Sequence, residues 1–142
     1  MRVVRHARWL GRVPALPQFF DALTQMVVAL TDRPRLRAMR EIEQEVVEWN
    51  KVTCGIHRFG GVEFRIDGRE FAHLHSCGLL DAIVGRTHAQ EWVAQGKAIP
   101  HHVFGESKWV SYWVRTEDDV AGAQELLKYA RDLTRNNSRG KL

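Results

Sequence analysis

The sequence predicts an α+β fold: an antiparallel sheet with helices packed on one face, two helices before it and one closing the chain. Three observations carry this. Asp67-Gly68 sits between two alternating apolar–polar runs, and a two-residue hairpin turn with φ > 0 at both centres favours that dipeptide. Apolar residues recur at helical spacing near the start of the chain and again at its end. Two further short runs, 79–84 and 109–114, are apolar or aromatic and β-branched, as sheets prefer. Helices at both ends around a block of strands favour segregated layers over alternating βα units.

The elements follow in order. Residues 1–16 carry arginines at intervals and are expected to form a basic N-terminal arm. Pro17 suits a first helical turn, where its missing N–H would be unpaired anyway. Phe19, Phe20, Leu23, Met26, Val27 and Leu30 then give a first amphipathic helix. Thr31-Asp32-Arg33-Pro34 breaks it and caps a second, with Leu36, Met39, Ile42, Val46 and Trp49 inward. Val52, Cys54 and Ile56 alternate and can open a strand. Gly60-Gly61 marks a bulge or the close approach of another backbone.

Regular pairing about Asp67-Gly68 sets Ile66 opposite Arg69, Arg65 opposite Glu70, Phe64 opposite Phe71 and Val62 opposite His73. His73 and His75 would then share the apolar face with Val62, Phe64, Ile66 and Phe71. Glu63, Arg65, Glu70, Ala72 and Leu74 would share the other face, with Arg65 and Glu70 as an ion pair. Thr87 with Gln90 reads as a capping box for a helix ending at Gly96. Residues 99–104 are extended. Thr116 caps the last helix, whose stripe is Val120, Ala123, Leu126, Leu127, Ala130 and Leu133. Residues 136–142 are expected to be a flexible tail, which leaves 17–135 as a single α+β domain.

At 142 residues and 44% hydrophobic, one domain can bury a real core. No run is long and apolar enough for a transmembrane helix, and residues 1–12 lack the apolar stretch of a signal peptide. Cys54 and Cys77 make no disulfide framework, so the expected location is cytoplasmic, with no membrane partner. Residues 1–40 hold eight arginines against Asp21 and Asp32, a balance of +6. The other 102 residues hold thirteen basic and fifteen acidic side chains, a balance of −2. The Arg-rich segment 1–40 is therefore a candidate electrostatic arm for nucleic acid.

Chemistry concentrates in the histidines. His73 and His75, two apart on a strand, project from one face and could meet a third imidazole. Either His101 or His102 could supply it, since neighbours in an extended segment point opposite ways. Two imidazoles at this spacing suit a metal, with His101, His102, Asp81 or Cys77 as further ligands, but no C-x-x-C or H-E-x-x-H accompanies them. No residue is assigned as a metal ligand. There is no G-x-S-x-G, no phosphate loop and no paired carboxylate on the histidine face, so catalytic residues and cofactors are left unassigned.

The run H-R-F-G-G-V-E-F-R-I-D-G-R-E-F-A-H-L-H, then G-L-L-D, then P-H-H-V-F-G-E-S-K-W-V-S-Y-W-V and T-E-D-D-V-A-G-A-Q-E-L-L, closely resembles the luciferase domain family. The resemblance spans about residues 55–130. It implies a small α+β domain with motif positions at His57, Arg58, Phe59, Gly60, Gly61, Glu63, His73, His75, Asp81, Pro100, His101, His102, Trp109 and Ser111. The layout is also similar, more loosely, to the MmcQ/YjbR family. The name implies no flavin barrel, which needs about 250 residues. The expected function is a binding module whose polar pocket, formed by His73, His75, His101, His102, Arg58 and Trp109, takes a small anionic or polar ligand. The alternatives are a nucleic-acid-associated protein and a metal- or His-dependent enzyme.

Overall fold

The computed structural model describes residues 16–58, 60–101 and 107–139, with side chains described from Phe19 to Ser138. Helices α1 (Leu16–Thr31) and α2 (Arg33–Val47) precede strands β1 (Val52–Ile56), β2 (Val62–Ile66), β3 (Arg69–Leu74) and β4 (Leu79–Ile83). Helix α3 (Arg86–Ala94), β5 (Ile99–Pro100), β6 (Trp109–Trp113) and α4 (Val120–Arg139) complete the chain. The strands form one antiparallel sheet in the order β1-β2-β3-β4-β6-β5. The α+β class and the two leading and one closing helix are as the sequence predicts. The basic arm, apart from Leu16, lies outside the described residues. Among those described, no helix is long and apolar enough to cross a membrane.

The core lies between the sheet and helices α2 and α4. Ala38, Met39, Ile42 and Val46 from α2 meet Val120, Ala123, Leu126, Leu127 and Ala130 from α4 over Phe64, Phe71, Leu74, Leu80 and Val110. Each fully buried Leu, Ile or Phe contributes on the order of 1.5–3 kcal/mol of transfer free energy. Asp32 caps α2 by accepting the Arg35 N–H at 3.2 Å. Thr116 stands at the cap before α4, with Asp119 accepting the Thr116 N–H at 3.0 Å. Thr87 is not a cap: α3 starts one residue earlier, after Gly85, and has no side-chain cap. Helix α4 runs on through Arg139, into the stretch expected to be a tail. The buried residue of its last turns is Thr134, and Leu133 is only half-buried.

Helix α1 forms as its spacing predicts, but its apolar stripe points outward. Phe19, Phe20, Leu23, Met26, Val27 and Leu30 are all exposed, and Val28 is the buried contact. Asp21 ties the helix to the β1–β2 loop by accepting the Gly61 N–H at 2.8 Å. Gly61 is where another backbone comes close. A Cβ there would lie 2.2 Å from the Leu74 carbonyl oxygen, and its φ is +80°.

The hairpin register differs from regular pairing in one decisive place. Ile66 opposes Arg69 and Arg65 opposes Glu70, but Phe64 then opposes Ala72, Glu63 opposes His73 and Val62 opposes Leu74. Phe71 is an extra residue, a β-bulge. It lets consecutive residues Phe71 and Ala72 both sink fully into the core. The alternation resets beyond it, so His73 joins the face of Glu70 and Glu63 and leaves that of Phe64. The expected placement of His73 and His75 on the apolar face is overturned by this bulge. The expected Arg65–Glu70 ion pair is replaced too: Arg65 Nε bonds Glu63 Oε1 at 2.7 Å, and Glu70 turns to His73.

Candidate functional site

The reset register draws a row across the whole sheet whose four central members are polar. Gly55, Glu63, His73, Asp81, Ser111 and Ile99 stand directly opposite one another on successive strands. The row lies on the face away from the apolar row Phe64, Ala72, Ala82 and Val110. Asp81 is its centre and is fully buried in an otherwise apolar strand. A buried carboxylate needs partners, and the sheet supplies them from both sides.

Asp81 Oδ2 lies 3.0 Å from His75 Nε2, 3.2 Å from His73 Nε2 and 3.7 Å from His101 Nε2. Its other oxygen accepts the Ser111 hydroxyl in a short hydrogen bond. On the far side of the His73 ring, Nδ1 is 2.7 Å from Glu70 Oε1. Glu70 Oε1 is also 3.7 Å from His57 Nε2. The His57 ring stacks on that of His73, with centroids 4.1 Å apart and planes 7° apart. The His75 ring stands edge-on to His73 at 4.9 Å. Trp109 walls the group, 5.4 Å from His73 and 6.1 Å from His101 by ring centroids.

Local chain geometry explains each placement. His75 follows β3 into a turn in which its N–H bonds the Leu79 carbonyl and its carbonyl accepts the Gly78 N–H, both at 2.8 Å. His57 sits in the β1–β2 loop, with its N–H donated to the Gly61 carbonyl at 3.0 Å. Ile99 opposes Ser111, so His101, two residues on, returns to the same face by the period of a strand.

The charges are strongly coupled. Burial opposes the charged form of His73, but its bonds to Asp81 and Glu70 outweigh that and lift its pKa from 6.5 to about 9. Burial likewise opposes the Asp81 carboxylate, yet His73, His75 and Ser111 hold its pKa far below the usual range. Glu70 is lowered against burial by the His73 bond. His57 is pushed down, first by burial and then by the positive charge of His73.

Of the residues singled out in the sequence, the structure gathers His57, His73, His75, His101, Asp81, Ser111 and Trp109. Arg58 is exposed in the loop beside His57, and His102 lies outside the described residues. Glu70 is the residue that sequence reasoning placed wrongly, since regular alternation put it behind the sheet from His73. The expected absence of paired carboxylates from the histidine face is thereby corrected, since Glu70 and Asp81 both meet His73. One local signal was available: Phe71-Ala72 sets two apolar residues between Glu70 and His73, which breaks strict alternation. A separate cleft, lined by Arg86, Ala89, Val93, Pro100 and Val110, touches this group through Trp109. In the Arg-rich segment, Arg35 pairs with Asp32 and Arg37 with Glu117, while Arg2, Arg5, Arg8 and Arg12 lie outside the described residues.

Residues 68–130 match the family model described as Luciferase domain, in accord with the motifs. The match covers β3 through most of α4, and with them His73, His75, Asp81, His101, Trp109 and Ser111. His57 lies outside it. No curated protein and no solved structure matches the chain.

Proposed function

We propose that this chain, which carries the Luciferase domain match over residues 68–130, is a small-ligand binding module that works through the imidazole–carboxylate group on its sheet face. One observation carries the reading: three imidazole nitrogens from β3, the turn after it and the segment after β5 lie within 3.7 Å of one carboxylate oxygen. Buried polar groups are costly to assemble, and a fold stabilised only by packing has no need to gather three rings and two carboxylates.

The chemistry narrows the ligand. Asp81 and Glu70 already engage the imidazole nitrogens nearest them, so the group fits a polar or cationic ligand better than an anion. The proposed contacts are His73, His75 and His101, with Asp81 at the centre and Trp109 as the wall. A small ligand also suits the structure better than nucleic acid does, because Arg35 and Arg37 of the basic segment are held by carboxylates.

The test is a thermal-shift panel of divalent metals, amines, nucleotides and carboxylates on the full chain and on His75→Ala. At least one class is expected to raise the melting temperature of the parent protein and to lose that effect in the variant. No shift from any class, with unaltered circular dichroism, removes the reading.

A further inference from the structure

We propose that the ligand is a divalent first-row transition metal ion of the zinc type, bound by His73 Nε2, His75 Nε2, His101 Nε2 and Asp81 Oδ2. This rests on the binding reading above and names its ligand class.

The spacing comes first. Donors bound to zinc at about 2.0–2.1 Å in a tetrahedron stand about 3.3 Å from one another. The donors of His73, His75 and Asp81 all lie within 4.8 Å of one another, with His75 Nε2 and His73 Nε2 3.0 and 3.2 Å from Asp81 Oδ2, and His101 Nε2, 3.7 Å from the same oxygen, stands next to them as the fourth ligand. A carboxylate oxygen offers two lone pairs, and the His75 and His73 nitrogens lie on this one at 3.0 and 3.2 Å, so a cation placed among them would take both imidazoles and the carboxylate as ligands at once.

The supporting contacts point the same way. Glu70 takes the Nδ1 side of His73 at 2.7 Å, which aims Nε2 at the centre of the group. Ser111 takes one oxygen of Asp81 and leaves the other facing the imidazoles. Carboxylate-to-histidine and hydroxyl-to-carboxylate bonds of this kind orient metal ligands and raise their basicity. Three nitrogens and one oxygen select zinc, cobalt, nickel or copper over magnesium and calcium, which prefer all-oxygen shells.

His57, Glu70 and His73 also lie close enough together to suggest a second ion. The ring geometry rejects it. Imidazole lone pairs lie in the ring plane, and two rings stacked at 4.1 Å and 7° cannot aim theirs at one point. Glu70 is therefore a positioning residue, and the site takes one ion.

The test is titration of chelator-stripped full-length protein with Zn²⁺ by calorimetry, with Co²⁺ as a spectroscopic stand-in. One equivalent of Zn²⁺ is expected, along with the intense visible absorption of four-coordinate Co²⁺ and no competition from Mg²⁺ or Ca²⁺. His75→Ala is expected to abolish both signals, and Glu70→Gln to weaken affinity about 10–100-fold at unchanged stoichiometry. Absence of the Co²⁺ absorption in the parent protein overturns the proposal without recourse to any variant. So do two equivalents, or equal binding in His75→Ala. If another class in the thermal-shift panel still binds while Zn²⁺ does not, the metal assignment fails and the binding module stands. If nothing binds, both fail.

Discussion

The imidazole of His57 lies flat against that of His73, 4.1 Å between centroids and 7° between planes. Two cations cannot sit comfortably in that arrangement, so one ring holds the charge at the expense of the other. The carboxylates decide which. His73 has Glu70 on one nitrogen and Asp81 on the other, whereas Glu70 lies 3.7 Å from His57.

In metal-free protein, His73 is expected to titrate near pH 9 and His57 below 6.5, measured by imidazole NMR. The pKa of His73 is raised on folding. Its contribution to stability is therefore complete below pH 6.5 and is lost as the pH rises through about 9. That of Asp81 is depressed, so its contribution is complete above 3.8 and is lost as the pH falls through its lowered folded value. His57 titrating above His73 would contradict this charge assignment.

Asp81→Asn removes the anion that His73, His75 and His101 share. Breaking a buried ion pair costs about 3–5 kcal/mol, and the capacity of His73 to shed its proton puts the expected loss near the lower end. Urea unfolding at pH 7 measures it. A loss under about 1 kcal/mol would show that Asp81 is not the electrostatic centre of the group.

Gly61→Ala and Gly68→Ala form a matched pair. Both positions have positive φ, which costs a Cβ-bearing residue about 1–2 kcal/mol. At Gly68 nothing lies within 4 Å of the added atom, but at Gly61 it meets the Leu74 carbonyl at 2.2 Å. Gly61→Ala is expected to be much the more damaging in thermal melts, and to displace His75, which follows Leu74. Equal losses would mean that the loop yields freely and does not brace the site.

Leu30 on α1 is 75% exposed despite its place in an apolar stripe. Leu30→Lys is expected to change stability by less than about 0.5 kcal/mol, as surface substitutions do. A loss above about 1.5 kcal/mol in chemical unfolding would show that the stripe is covered in solution.

Much of the architecture was legible because it depends on local chemistry. Asp67-Gly68 makes its turn, Asp32 caps its helix, and the spacing of Ile42 and Val46 or of Leu126 and Ala130 turns one helix face inward. Such signals act within a few residues, so they survive reading one residue at a time. The outward stripe of α1 was not legible, since periodicity reveals that a helix has an apolar side and not what meets it.

The sequence by itself determined the α+β class, the helix–hairpin–strand order and the candidate histidines, with His101 and His102 left as alternatives. Only the tertiary structure decided which carboxylates meet them. One unpaired residue, Phe71, turns His73 from the oily side of the sheet to the side of Glu70 and Asp81. The side-chain period of a strand is two, so a single extra residue inverts everything beyond it. That residue is there because Phe71 and Ala72 can both be buried against the helices, a gain that exists only once the helices have packed.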